Sequence, residues 1–168
     1  MSNIDSAMAV LQVAIQTEID GHNFYQEFAQ RSTEPDAQRM FDRLAQDEIM
    51  HLELLRNTKA MLEQSGEWAD YKGLALDVPQ GAPIFSQERV KQNVVAYTSD
   101  LSALRVAYLI EKDAFDFYTR AAAQTDDLNG RRMYRDLASM EQGHLQLLEG
   151  EYTRLLSYFQ TAMGFSPF

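Results

Sequence analysis

A gapless self-repeat constrains this chain more than any other feature. Sliding the sequence by 93 residues lays 11–55 on 104–148, and seventeen of the 45 aligned positions are identical. Among them are Ala14/Ala107, Glu18/Glu111, Phe24/Phe117, Tyr25/Tyr118, Met40/Met133, Leu44/Leu137, Glu48/Glu141 and His51/His144. Each copy carries helical periodicity in two stretches, so the chain reads as a duplicated helical hairpin. In each copy a single Glu stands thirty residues before a Glu-x-x-His: Glu18 before Glu48 and His51, Glu111 before Glu141 and His144. A spacing of three is about one helical turn and puts Glu and His on one helix face. Two single Glu and two Glu-x-x-His sets, one per helix, are the ligand inventory of a carboxylate-bridged dimetal site in a four-helix bundle.

The residue types explain the chemistry. Facing helices in a bundle lie about 8–10 Å apart, so inward Glu and His side chains from all four can meet. Four converging carboxylates repel and raise one another's pKa values unless cations neutralise them. Two divalent ions do so, and mixed carboxylate and imidazole ligands suit iron, manganese or zinc better than copper. The alternative is a duplicated seam of buried polar pairs without metal, which would cost stability four times over.

Composition narrows the function further. The 168 residues form one expected domain, 1–168, long enough for a real core. A net charge of −10 argues against a nucleic-acid surface, and the short run Arg131, Arg132, Arg135 reads as a solvated helix face. With no cysteine, disulfides, thiol catalysis and Cys-ligated iron are excluded. The N-terminus lacks a basic-then-apolar leader and no apolar run reaches membrane-spanning length, so no membrane contact and a cytoplasmic location are expected.

In chain order, the hairpins are expected at about 5–64 and 99–163, joined by a crossover at about 65–98. Ser2, Asn3 or Asp5 would cap helix one, and Thr33-x-Pro35-Asp36 would open helix two. Gly66, Gly73, Pro79, Gly81 and Pro83 break the crossover, with room for a short helix over Ser86–Tyr97. Ser99 or Asp100 would cap helix three, Asn129 and Gly130 would precede helix four, and Gly164 would stop it. The fold expected is an all-α four-helix bundle with one long crossover. Its alternative is two hairpins pairing through swapped halves.

At the residues EIDGHNFY, DEIMH, EKDAFDFY and MEQGH the chain resembles the rubrerythrins and their relatives in the ferritin-like superfamily. The resemblance implies a non-haem centre of two iron ions per chain. Glu48 and Glu141 would bridge, Glu18 and Glu111 would be terminal carboxylates, and His51 and His144 would each bind one metal. It also implies reduction of peroxide or dioxygen, or oxidation of ferrous iron. Rubrerythrins proper add a carboxylate three residues after the helix-three Glu, where this chain has Ala114, and a Cys₄ rubredoxin domain, for which it has no cysteine. A separate electron-donor protein is therefore expected. A metal-stabilised helical module that only binds a partner is the reading from another class.

Further residues carry lesser expectations. Tyr25 and Tyr118, seven past Glu18 and Glu111, share the inner face and can hydrogen-bond a ligand carboxylate or quench a radical; otherwise they are core aromatics. His22, one turn beyond Glu18, is either an extra ligand or a structural histidine. Ala114 and its repeat partner Gly21 are small, so they would leave coordination room and a nearly symmetric centre. Tyr158, Phe159, Phe165 and Phe168 read as core or subunit contact, in keeping with a homodimer or small homo-oligomer. Trp68 is expected to cover a bundle edge.

Overall fold

The structure, a computed structural model, describes residues 3–32, 34–73 and 96–164. Four helices account for most of them: α1 (Asn3–Arg31), α2 (Pro35–Ser65), α3 (Ala96–Gln124) and α4 (Leu128–Ala162). No strand occurs among the described residues.

Buried positions mark one face of each helix. In α2 the buried positions run Ala37, Met40, Phe41, Leu44, Ala45, Glu48, His51, Leu52, Leu55, Thr58 and Leu62, steps of mostly three and four that make one face. Pro35 opens that helix, and Gly66 closes it at φ 72°, where a Cβ would be strained and glycine is not. The Glu34 side chain makes no cap hydrogen bond. Thr33, the expected cap, lies outside the described residues, as do most of the crossover, the short helix expected there, and Phe165 and Phe168.

Two boundaries differ from expectation. Helix α3 already runs through Ser99 and Asp100, its described residues beginning at Ala96. Asp100 is therefore not a cap but a buried side chain, whose Oδ1 accepts from Ser32 Oγ at 2.9 Å across the α1–α2 turn. Packing against the other hairpin carries the helix past its capping signals. At α4, Asp127 takes the cap position, accepting from the Asn129 and Gly130 amides at 2.8 and 3.0 Å. Asn129 and Gly130 thus lie inside the helix.

The core splits into two apolar clusters. One joins Tyr25 and Ala29 of α1 to Met40, Phe41 and Leu44 of α2, Leu104 and Ala107 of α3, and Leu148 and Leu155 of α4. The other joins Leu11 and Ile15 to Leu55 and Leu62, Ala114 and Tyr118, and Met133, Tyr134 and Leu137. The first half of α2 and the first half of α3 share a cluster, so these helices point the same way, as a long crossover permits. The closest partners are α1 with α2 and α3 with α4, and the two hairpins of one chain close on each other through α1 and α3. The described residues of one chain supply all four helices of the bundle.

Candidate metal centre

Between the apolar clusters lies a belt of charge. Glu18, Glu48, His51, Glu111, Glu141 and His144 are each 4 % exposed or less. Their ligand atoms converge in two groups: Glu18, Glu48, His51 and Glu141, and Glu48, Glu111, Glu141 and His144. Within each group these atoms lie within 4.8 Å of one another. Glu48 and Glu141 belong to both. The repeat generates this arrangement, since each hairpin supplies one private Glu, one shared Glu and one His.

Both imidazoles turn Nδ1 inward. His51 Nδ1 lies 3.1 Å from Glu18 Oε2, 3.3 Å from Glu141 Oε1 and 3.6 Å from Glu48 Oε2. His144 Nδ1 lies 3.2 Å from Glu141 Oε2 and 3.4 Å from Glu111 Oε2. The rings stand 6.0 Å apart, 24° from parallel. Glu111 Oε2 and Glu141 Oε1 are fully enclosed and are faced only by an imidazole Nδ1 that several carboxylate oxygens share, at 3.4 and 3.3 Å. Buried lone pairs without a donor are costly, and a cation is the partner that satisfies several at once.

The electrostatics agree. Burial, then the neighbouring Glu18 and Glu141, pushes Glu48 well above the usual carboxylate range. Burial and Glu141 push Glu111 up to about 8. Burial alone would raise Glu141 too, but His51 and the hydrogen bonds of both imidazoles hold it well below its ordinary value. The histidines are lowered by burial, yet Glu141 beside His51 and Glu111 beside His144 outweigh it and raise both. Without metal the cluster thus shares protons among carboxylates that cannot all ionise. The donor set is oxygen-rich with one imidazole per group, which fits two hard or borderline divalent ions.

The tyrosines reach the site by crossing between hairpins. Tyr25 of α1 donates to Glu111 Oε1 of α3, and Tyr118 of α3 donates to Glu18 Oε1 of α1. Each private carboxylate is thus held by the other copy's tyrosine, a pairing that a linear sequence does not reveal. Burial, then the facing carboxylate, raises both phenols well above their ordinary value, so they remain protonated donors.

His22 is not brought to the site. Its Nδ1 donates to the Ala45 carbonyl at 2.9 Å, and it belongs to neither group of convergent atoms. The i+4 position points its Nδ1 across to the α2 backbone, a contact that the structural reading accounts for. Gly21 does not leave empty coordination room either. A Cβ there would meet Glu48 Cδ at 3.4 Å, an ordinary contact, so Gly21 packs directly against the shared carboxylate.

Asp47 is the residue sequence reasoning missed. Its Oδ2 accepts from His144 Nε2 at 3.3 Å, while His51 Nε2 has no partner. A carboxylate behind a ligating imidazole fixes its tautomer and raises its basicity. The repeat partner of Asp47 is Met140, so only one half carries the device. The only available signal was this break in the repeat beside a conserved pair of Glu and His positions within the chain. The expected symmetric centre is therefore unequal in its surroundings. Asp47→Asn should weaken one of two metal-binding steps roughly 10–100-fold and leave the other unchanged, read by calorimetric titration.

Buried carboxylates and imidazoles shared between duplicated hairpins define a helical-bundle metal protein of the ferritin-like kind. The sequence matches the rubrerythrin family over residues 9–152, and the chain belongs to that family. Its fold is similar to that of a hypothetical protein from Pyrococcus furiosus, 25 % identical over 90 % of each chain, with a TM-score of 0.65. No curated protein matches the sequence. Among the described residues, no helix is long and apolar enough to cross a membrane.

Proposed function

We propose that the chain is a non-haem di-iron oxidoreductase that reduces peroxide or dioxygen with electrons from an external donor. The observation that carries this reading is the pair of overlapping ligand groups sharing Glu48 and Glu141. Glu18 and His51 would complete one metal position, Glu111 and His144 the other. Bound iron supplies the two-electron redox chemistry that carboxylates and imidazoles lack.

The chain's own residues do the rest. Tyr118 and Tyr25 hold the private carboxylates in place by their hydroxyls, fixing Glu18 and Glu111 before any metal arrives. Asp47 holds the His144 ring with Nδ1 facing the carboxylates. The apolar clusters above and below exclude bulk water, which strengthens every charge interaction between them.

The test is aerobic titration with ferrous iron, followed by peroxide turnover with a supplied reductant. Saturation at two irons per chain, oxidation above the protein-free blank and reductant-dependent peroxide loss are expected. Oxidation without peroxide turnover would favour ferrous-iron handling instead. No oxidation above the blank would leave a metal-stabilised binding module and remove both redox readings.

A further inference from the structure

Outside the ligand belt, the aromatic residues around the two ligand-holding tyrosines are arranged differently in the two hairpins. Tyr118, which donates to Glu18, stacks on Tyr134 at 6.1 Å between centroids and 22° between planes. Tyr134 in turn meets the Trp68 ring edge-on at 6.1 Å. Trp68, the one tryptophan of the chain, is half-buried and follows α2 at the bundle edge. Three rings in contact thus run from the solvent side of the bundle to a carboxylate of the centre.

In the other copy only the first ring pair is matched, and its chemistry differs. Tyr25, which donates to Glu111, stacks on Phe41 at 6.3 Å and 21°. Phe41 is the repeat partner of Tyr134, and the next ring along is Phe28 at 5.9 Å. Tryptophan and tyrosine give up single electrons within the biological range; phenylalanine does not. The ring stacked on the ligand-holding tyrosine is therefore matched in the two halves, while only one half continues in rings that can carry charge.

Two details argue that this half is built. Tyr134 is fully buried and its hydroxyl has no hydrogen-bond partner. An enclosed hydroxyl without a partner costs stability, and phenylalanine fills the equivalent place in the first copy at no such cost. Gly130 provides the second detail. A Cβ there would lie 2.7 Å from Trp68 Cε3, whereas the repeat partner is Ala37, so only the glycine lets the indole settle against Tyr134.

We propose that Trp68, Tyr134 and Tyr118 form a one-sided path by which single electrons from an external one-electron reductant reach the carboxylate–histidine centre. The proposal rests on the redox reading given above, and it adds the route and the face where the reductant docks. An electron drawn inward leaves Tyr118, whose phenolic proton moves along the existing hydrogen bond to Glu18 Oε1. Tyr134 has no proton acceptor, so it passes the charge on rather than holding it. Trp68 refills Tyr134, the external reductant refills Trp68, and the proton returns from Glu18 to Tyr118. The net change is one external reductant oxidised by one electron and one oxidised metal ion, of the kind the centre would hold, reduced by one, with the chain's own residues restored.

The test needs no redox-active metal. The full chain, both metal-free and with zinc added, is flashed with tris(bipyridine)ruthenium and persulfate, which withdraws one electron from Trp68. Transient absorption and electron paramagnetic resonance then follow the tryptophan and tyrosyl radicals. In the native chain the tryptophan radical should give way to a tyrosyl radical. Tyr134→Phe and Tyr118→Phe should each lengthen the tryptophan radical's life at least ~10-fold, and Trp68→Phe should abolish it. Phe41 occupies the equivalent place, so Tyr134→Phe should melt no lower than the native chain, which separates a lost path from a lost fold. Equal tryptophan-radical lifetimes in the native chain and both tyrosine variants overturn the proposal. A working path in a chain that oxidises no iron would sink the redox function and leave the path standing.

Discussion

Replacing Glu48 with alanine should empty both metal positions, whereas Glu18→Ala should empty one. The difference follows from membership: Glu48 reaches both groups of ligand atoms and Glu18 only one. Glu141→Ala should behave like Glu48→Ala, and Glu111→Ala like Glu18→Ala. Losing a direct ligand exceeds the roughly 10–100-fold that loss of an outer hydrogen bond to a ligand costs. At limiting iron, metal analysis after gel filtration should therefore fall from two per chain towards zero for the shared carboxylates. The stability of the metal-free protein should move the other way. Glu48 is raised by burial and by Glu18 and Glu141, so the empty bundle must hold it protonated, and deleting it removes the cost of that buried polar group. Metal-free Glu48→Ala should melt higher than the metal-free native chain. A Glu48→Ala protein that keeps one metal as tightly as Glu18→Ala would show that the carboxylate is not shared.

Much of this was legible before any coordinates. The 93-residue repeat placed two Glu and two Glu-x-x-His sets on inward faces, because periodicity and duplication are local properties of a sequence. The parallel course of α2 and α3 followed from the length between them. What stayed hidden depends on contacts between helices. That Tyr118 holds Glu18 and not Glu111 is set by how α1 crosses α3. Asp47 lies one residue before Glu48, on a flank of α2 that periodicity alone reads as solvent-facing; α4 makes that flank a support for His144. His22 looked available because it follows Glu18 by one turn, but the neighbouring α2 carbonyl claims it. Asp100 reads as a cap by residue type, but it lies inside α3, where its carboxylate is buried and accepts from Ser32.

Metal-free and metal-loaded protein should respond to pH with opposite signs. In the empty bundle Glu111 keeps its proton up to about 8 and Glu48 is also well raised, whereas in the unfolded chain both lose it near the ordinary carboxylate value. Between those limits the folded state binds more protons than the unfolded one, so stability falls as pH rises. His51 and His144 add the same sign: their raised values stabilise the fold below the ordinary imidazole pKa, and that contribution fades as pH climbs through the folded one. Glu141, held low, opposes this only in acid, below its unfolded value. One pKa unit corresponds to about 1.4 kcal/mol, so Glu111 alone contributes several. For a chain of this size that is a drop in Tm on the order of 10 °C between pH 5.5 and 8. Metal reverses the sign. Ligands must lose protons to bind it, so its stabilising effect grows over the same interval. Calorimetric melting of both forms across that range should give curves that diverge as pH rises. If both forms instead gained stability in parallel, the buried carboxylates would be ionised without metal, and the proton-sharing account of the empty centre would fall.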